Sequence, residues 1–299
     1  MRGKIALLGL PGSPVTAAVA AALEAGGRGA VRLDLFAPLA GKPVTIASGR
    51  VTWEGCELSA AGAVLAEAPV FPWPQPGSLE GVLEDGVPAR DRVRRDREGR
   101  SLVASALHVL AGERPVVNPP GAAHGAVAPA AVLDDLARHG LPVTPWRMDA
   151  AAPGTAGWVA DAAGRDAWHQ PARPPAAGEP ALLFDAAADA AIVVLVAGNA
   201  VVAARRIPAG PLPADPGNGD PVPAEELPGR LAELAVRAAA TVRAPVCALT
   251  VIAGEDSRVL FIETGPDLAA WHAAAGEGVA EGLARMLVSL ADNPPEDNR

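Results

Sequence analysis

The chain has 299 residues, a formal net charge of −9 and a half-hydrophobic composition, and these bounds exclude two classes at the outset. An excess of acids argues against a nucleic-acid-binding surface, and no run of about 18 apolar residues free of Gly, Pro or charge offers a transmembrane span. The length is ample for a large core in one to three domains.

Two cysteines, Cys56 and Cys247, lie far apart and make no metal pattern, so they read as reduced and structural in a cytoplasmic protein. Tyrosine is absent, and Lys4 and Lys42 are the only lysines. The skew to Ala, Gly, Pro and Arg reads as background composition.

The first segments alternate between strand and helix. Lys4–Leu10 is a buried strand, Val15–Glu24 an Ala-rich helix closed by Gly26-Gly27, and Val31–Phe36 a second strand. This β-turn-α-β start predicts a parallel sheet with helices on its faces. The turn carries Gly9 and Gly12 but no third glycine, and Pro11 and Pro14 stiffen it. It reads as a strand–helix turn rather than a dinucleotide or phosphate loop.

Val44–Ala47 and Arg50–Trp53 flank Ser48-Gly49 and predict a hairpin. Val64–Phe71 is a strand candidate leading into the extended Pro72-Trp73-Pro74-Gln75-Pro76. Ala89–Arg100 alternates six arginines with acids and reads as the solvated start of a helix, with Asp91 and Arg95 spaced to pair. The competing reading is an arginine clamp for a substrate carboxylate. Ser101–Leu110 continues that helix to Gly112, and Val116-Val117 is a short strand before Asn118-Pro119-Pro120.

In the second half, Pro129 fits a helix first turn, Val132, Leu133 and Leu136 give its apolar face, and Gly140 ends it. Leu141–Trp146 follows as a strand. Trp168-His169-Gln170-Pro171 precedes the Pro-rich stretch Ala172–Gly178. Ala181–Asp185 is a strand, and Ile192–Ala197, Gly198-Asn199 and Ala200–Arg206 form a hairpin. Arg205 and Arg206 must face opposite sides of their strand. Pro208–Pro223 is a loop. Pro228–Thr241 is a helix with Leu231, Leu234, Ala235 and Ala238 on one face. A second hairpin runs through Val246–Ile252 and Val259–Ile262, leaving Glu263 at the mouth of the last strand and Thr264-Gly265 beyond it. Gly278–Leu290 is a closing amphipathic helix, and Asp292–Arg299 a polar tail.

The order of these segments over roughly residues 115–290 resembles the ATP-grasp superfamily, of the glutathione-synthetase and RimK-like glutamate-ligase type. The resemblance implies a fold class of α/β and α+β. An N-terminal parallel-sheet, pre-ATP-grasp-like domain (1–117) would precede a two-lobed ATP-grasp-like domain, with a small lobe at 118–180 and a C-terminal lobe at 181–299. It implies ATP and magnesium as cofactors, and an activity in which ATP phosphorylates a carboxylate and an amine or thiol attacks the acyl phosphate. It places Glu263 as metal ligand, Arg206 as the catalytic arginine near the transferred phosphate, and Asn218-Gly219 near the substrate. His169 or Gln170 stands where the family has a phosphate-binding lysine, and Arg173 is a further phosphate contact.

Other positions depart from the family pattern. The Asp-Lys pair expected ahead of Gly140 falls on Ala128 and Pro129, Thr250 stands where the first metal acid belongs, and Gly265 where an amide ligand belongs. Each missing group costs on the order of 2–4 kcal/mol of transition-state stabilisation, by analogy with single oxyanion-hole donors. These losses do not add linearly, but together they leave little room for ordinary turnover.

Three readings follow. The chain is an ATP-grasp-fold relative of carboxylate–amine ligases with weak, altered or lost catalysis. Or it is a non-catalytic pseudoenzyme whose interlobe cleft holds a small molecule, a peptide or a protein partner. Or it is an unrelated two-domain α/β enzyme. A homodimer is consistent with each; nucleic acid and membrane are not expected as partners. Among the histidines, His272 follows Trp271 close to the Glu263 strand, His108 reads as structural, and His124 and His139 sit at a loop and a helix end. The five show no metal-ligand spacing.

Overall fold

The computed structural model describes residues 3–67, 89–119, 129–150, 159–161, 177–185, 188, 190–212, 214–254 and 256–294. The chain divides into two compact units, Met1–Ala123 with Ala280–Arg299, and His124–Val279. His124, the segment 72–76, and the candidate residues His169, Gln170 and Arg173 lie outside the described residues.

The first unit is built on four parallel strands: β1 (Ile5–Gly9), β2 (Ala30–Asp34), β6 (Ala63–Ala66) and β7 (Val116–Val117), in the order β2-β1-β6-β7. Every residue of β1 and β6 is buried, as expected of a parallel sheet covered on both faces. Helix α1 (Pro14–Ala25) crosses from β1 to β2, capped by the Ser13 side chain and started by Pro14. A three-stranded antiparallel sheet, β3 (Val44–Ala47), β4 (Arg50–Trp53) and β5 (Cys56–Glu57), accompanies it. The turn at Ser48 and Gly49 has φ of 49° and 78°, the paired positive values of a tight hairpin turn. The strand candidate Val64–Phe71 is observed over its start, as β6, ending at Ala66; residues 68–76 lie outside the described residues.

Two sequence expectations are corrected in this unit. The arginine-rich stretch is the first half of one long helix, α2 (Ala89–Ala111), and it is not wholly solvated. Asp96 and Arg100 are buried and form an ion pair in which Arg100 Nε donates to both Asp96 carboxylate oxygens at 3.0 Å, with the guanidinium 4.9 Å from the Phe36 ring centre. Among the described residues Asp91 pairs with Arg94, at i+3 and 3.9 Å, and not with Arg95. The Gly9–Gly12 turn holds an anion of the chain's own. Glu67, at the end of β6, accepts from the Leu10 amide at 2.8 Å and from the Ser13 hydroxyl at 2.6 Å. A Cβ at Gly9 would sit 2.8 Å from that carboxylate, so glycine is required for the approach.

The second unit begins with α3 (Pro129–Arg138), whose Leu133 and Leu136 are buried, and Gly140 (φ +72°) ends it. The strand expected at Leu141–Trp146 starts only at Trp146, as β8 (Trp146–Ala150). Pro142 and Pro145 lack the amide a ladder needs, and Val143 makes a single parallel bridge to Val259 instead. One sheet has the order β13-β9-β10-β8, with β9 (Val159–Asp161), β10 (Pro180–Phe184) and β13 (Pro211–Leu212). The other has five antiparallel strands in the order β14-β12-β11-β15-β16: β11 (Ala190–Ala197), β12 (Ala200–Pro208), β14 (Asp220–Pro221), β15 (Val246–Ile252) and β16 (Arg258–Glu263). Helix α4 (Gly229–Thr241) covers that sheet with the four residues its periodicity predicts. Helix α5 (Leu268–Ala275) follows β16. Helix α6 (Glu277–Asp292) starts in the second unit, and its residues from Ala280 belong to the first. No helix among the described residues is long and apolar enough to cross a membrane.

Candidate functional site

The β15–β16 hairpin is paired as its apolar pattern requires, with Glu263 opposite Ala248 and Thr250 opposite Phe261. Both strands are buried almost throughout, so Glu263 closes a run of side chains that never meets water. The residue itself is half-buried, and its carboxyl is pushed up to about 8, first by burial and then by the charge of Asp267. Cys247, one residue before Ala248, is fully buried. Its thiol is pushed well above the ordinary range by burial, then by Glu263. It is therefore an inert packing residue rather than a nucleophile.

Beyond β16 the chain turns through Thr264-Gly265-Pro266 into α5. Asp267 caps this helix, accepting from the Ala269 and Ala270 amides at 2.9 and 3.0 Å. The sequence reading missed this acid, though an aspartate just before Leu-Ala-Ala-Trp is an N-cap signal. The cap uses Oδ1, leaving Oδ2 without a hydrogen bond to the helix.

Arg205 and Arg206 divide their roles by strand alternation. The Arg205 guanidinium donates to three main-chain carbonyls: Pro216 at 3.1 Å, Ala274 at 2.8 Å, and Gly219. It ties β12, the turn Pro216–Asn218 and the end of α5 into one block. Gly219 is needed there, because a Cβ would lie 2.8 Å from the Arg206 carbonyl oxygen. Arg206 is exposed, as is Asn218. His272 is turned to the Gly276 carbonyl oxygen at 3.1 Å, where it finishes α5. His108 stands on the exposed side of α2, and His139 lies 2.8 Å from the Asp135 carbonyl oxygen.

The register puts Glu263 and Arg205 on one face of the five-stranded sheet, on β16 and β12 with β15 and β11 between them, and Arg205 ties the end of α5, the helix that Asp267 caps, to the 216–219 turn. Among the described residues no cluster of three or more His, Cys, Asp or Glu is placed to hold a metal ion. Two carboxyls, one raised by burial beside the other, suit magnesium in a different way. That ion keeps several waters and takes one or two protein carboxylates together with substrate phosphates. Both lysines of the chain lie in the first unit, so any phosphate charge in the second must be met by arginine, histidine or backbone amides.

No protein-family model matches the sequence, and no curated protein matches it. Solved structures do. The ATP-grasp ligase PsnB, complexed with precursor peptide PsnA2 and AMPPNP, superposes with a TM-score of 0.71 at 17% identity, covering 97% of this chain and 98% of that one. The chain has the ATP-grasp fold. The macrocyclase MdnC from Microcystis aeruginosa MRC, bound with precursor peptide MdnA, gives 0.65 at 15% identity over 95% of this chain and 99% of its own. A Chryseobacterium gregarium RiPP-associated ATP-grasp ligase, in complex with ADP and a leader and core peptide, gives 0.65 at 11% identity over 99% of each. The mixed architecture expected from the sequence, α/β and α+β with a parallel sheet and antiparallel sheets, is the one observed.

Proposed function

We propose that this chain is a peptide-directed ATP-grasp protein, related to carboxylate–amine ligases, whose nucleotide chemistry is weakened. The observation that carries the reading is the retained carboxylate end of the hairpin in a second unit that has no lysine. Fold neighbours captured with precursor peptides and nucleotides support the class. The small-lobe and C-terminal-lobe division at 118–180 and 181–299 belongs to the same proposal, as does a cytoplasmic location, with Cys56 and Cys247 both free.

In this reading Glu263, with the free oxygen of Asp267, would hold magnesium, which when bound would neutralise charge on the nucleotide phosphates. Arg206, the arginine the resemblance assigns to the phosphate, is exposed on the face of β12 opposite the Arg205 clamp, whereas the register puts Glu263 on the Arg205 face, so Arg206 would serve a phosphate only from the other side of this sheet. Arg205 is a positioning residue: it fixes the turn bearing Asn218. A guanidinium can bind phosphate in two-point geometry, but one arginine does not match the charge neutralisation of two lysines, an arginine and two metal ions.

The lysine-free second unit also favours a second reading, a non-catalytic binding protein that keeps the peptide and has lost ATP. Calorimetric titration with ATP and ADP, with and without magnesium, on the wild type and Glu263→Gln separates the two. Magnesium-dependent binding that vanishes in the variant supports the first reading. Silence up to millimolar nucleotide overturns it in favour of the second.

A further inference from the structure

At the opposite end of the β15–β16 hairpin from Glu263 lies a separate groove. Arg258 opens β16 and Glu263 closes it, so the two ends stand about 17 Å apart at strand rise. There a cavity of about 490 Å³ lies between α4 and the hairpin turn. That volume falls within the range of ligand sites.

One wall is a single stripe of α4. Arg230, Glu233, Leu234 and Arg237 recur at i, i+3, i+4 and i+7 and all line the cavity. Asp256 and Arg258 form the opposing wall, and Pro142 joins the buried Leu234 as apolar lining. The frame is fixed by main-chain bonds, from the Val259 amide to the Pro142 oxygen and from the Thr144 amide to the Val259 oxygen, both at 2.8 Å. The arginines of this groove are unlike several others in the chain. Arg100, Arg138 and Arg285 each pair with an acid four residues earlier, at 3.0, 3.0 and 3.8 Å. Arg237 has Glu233 at that same spacing, yet among the described residues neither forms an ion pair or a side-chain hydrogen bond, and nor do Arg230, Arg258 and Asp256. Five charged side chains around one cavity thus have no partner among the described residues.

We infer that this groove docks an acidic segment of a peptide, with two carboxylates flanking an apolar residue. Three guanidiniums call for carboxylates. Arg230 and Arg237 are seven residues apart on α4, about 10 Å at helical rise. In an extended, polyproline-type peptide, acids at i and i+3 share a face about 9 Å apart, which matches. Leu234 and Pro142 receive the apolar side chain between them. Glu233 and Asp256 accept from peptide amides or a basic side chain. They also count against a continuous polyanion such as nucleic acid, as does the overall charge of −9. The inference rests on the peptide-directed reading above for its purpose, and the two fail separately.

The test is fluorescence anisotropy of the full chain with a labelled peptide carrying two glutamates three residues apart, with leucine and proline between them. The expected result is binding that weakens roughly tenfold or more when the glutamates become glutamines, and again in the double variant Arg230→Glu, Arg237→Glu. Arg258→Gln is a milder change of the opposing wall and should weaken binding in the same direction, with thermal melts confirming the fold. Equal binding of the glutamine peptide, or no change in all three positions, overturns the proposal. So does displacement by oligothymidylate at lower concentration than by unlabelled peptide, which would make the groove a nucleic-acid site. Magnesium–ATP titration of the same variants should match the wild type. A wild type silent to nucleotide counts against the ligase reading alone, because the peptide readout does not depend on it.

Discussion

Asp267 stands four residues beyond Glu263, and its carboxylate, held by two amides at the start of α5, adds to the burial that pushes the Glu263 carboxyl up to about 8. Burial and Asp267 thus disfavour the ionised form of Glu263, and a bound cation would favour it. Glu263→Ala should therefore abolish magnesium-dependent nucleotide binding while the chain stays folded. Calorimetry on the variant, beside a far-ultraviolet melt, checks both halves; unchanged binding would sink the metal assignment.

The same shift sets a pH dependence. A carboxyl whose folded pKa lies above its unfolded value holds a proton in the native state that the unfolded chain has lost. Its contribution to stability is present in full below the unfolded value near 4.5 and disappears as pH rises through about 8. Melting temperature without metal should thus decline across that window, and Glu263→Gln should flatten the decline. Parallel slopes in the two proteins would contradict the assignment.

Arg205 and Arg206 should separate cleanly in mutagenesis. Arg205→Ala strips three carbonyls of a charged donor and should cost about 2–3 kcal/mol in urea unfolding. Arg206→Ala, at an exposed position on the other sheet face, should stay within about 0.5 kcal/mol of wild type. The reverse pattern would exchange their roles.

Gly219→Ala drives a methyl group into the Arg206 carbonyl oxygen and the Ile207 side chain, both at 2.8 Å. Overpacking of this kind costs about 1–3 kcal/mol. Denaturant titration reads it directly, and a neutral result would mean the 216–219 turn can shift away from β12.

Asp96→Ala leaves the Arg100 guanidinium buried without its partner and should cost about 3–5 kcal/mol. Replacing both residues together by leucine and methionine should recover most of the loss. A double variant as unstable as the single one would locate the penalty in packing instead of charge.

Much of the fold was legible because local chemistry determines it. The hairpin at Ser48-Gly49 needs two residues with positive φ, and the apolar runs around Gly198-Asn199 leave no other pairing. The burial of α4 follows from four residues at helical spacing. The rest depends on contacts distant in sequence. Glu67 fills the α1 turn from 57 residues beyond Leu10, and Arg205 reaches Ala274 across 69 residues. Neither partner can be counted off from a motif. Helix α5 went unread because its alanines carry little amphipathic signal, although Trp271 is buried. The groove at Arg230 was invisible for a further reason: its two walls are separate in sequence, and each alone is an ordinary charged surface.

The confinement of lysine to positions 4 and 42 has a practical corollary. Acyl-phosphate nucleotide probes tag the amines of ATP sites, and the second unit offers them no lysine. Lys42 is itself engaged with Glu54 at 2.8 Å. A chemoproteomic survey by that chemistry would draw no lysine label from the second unit whether or not it binds ATP. Its nucleotide state has to be read by heat or by a guanidine-selective reagent.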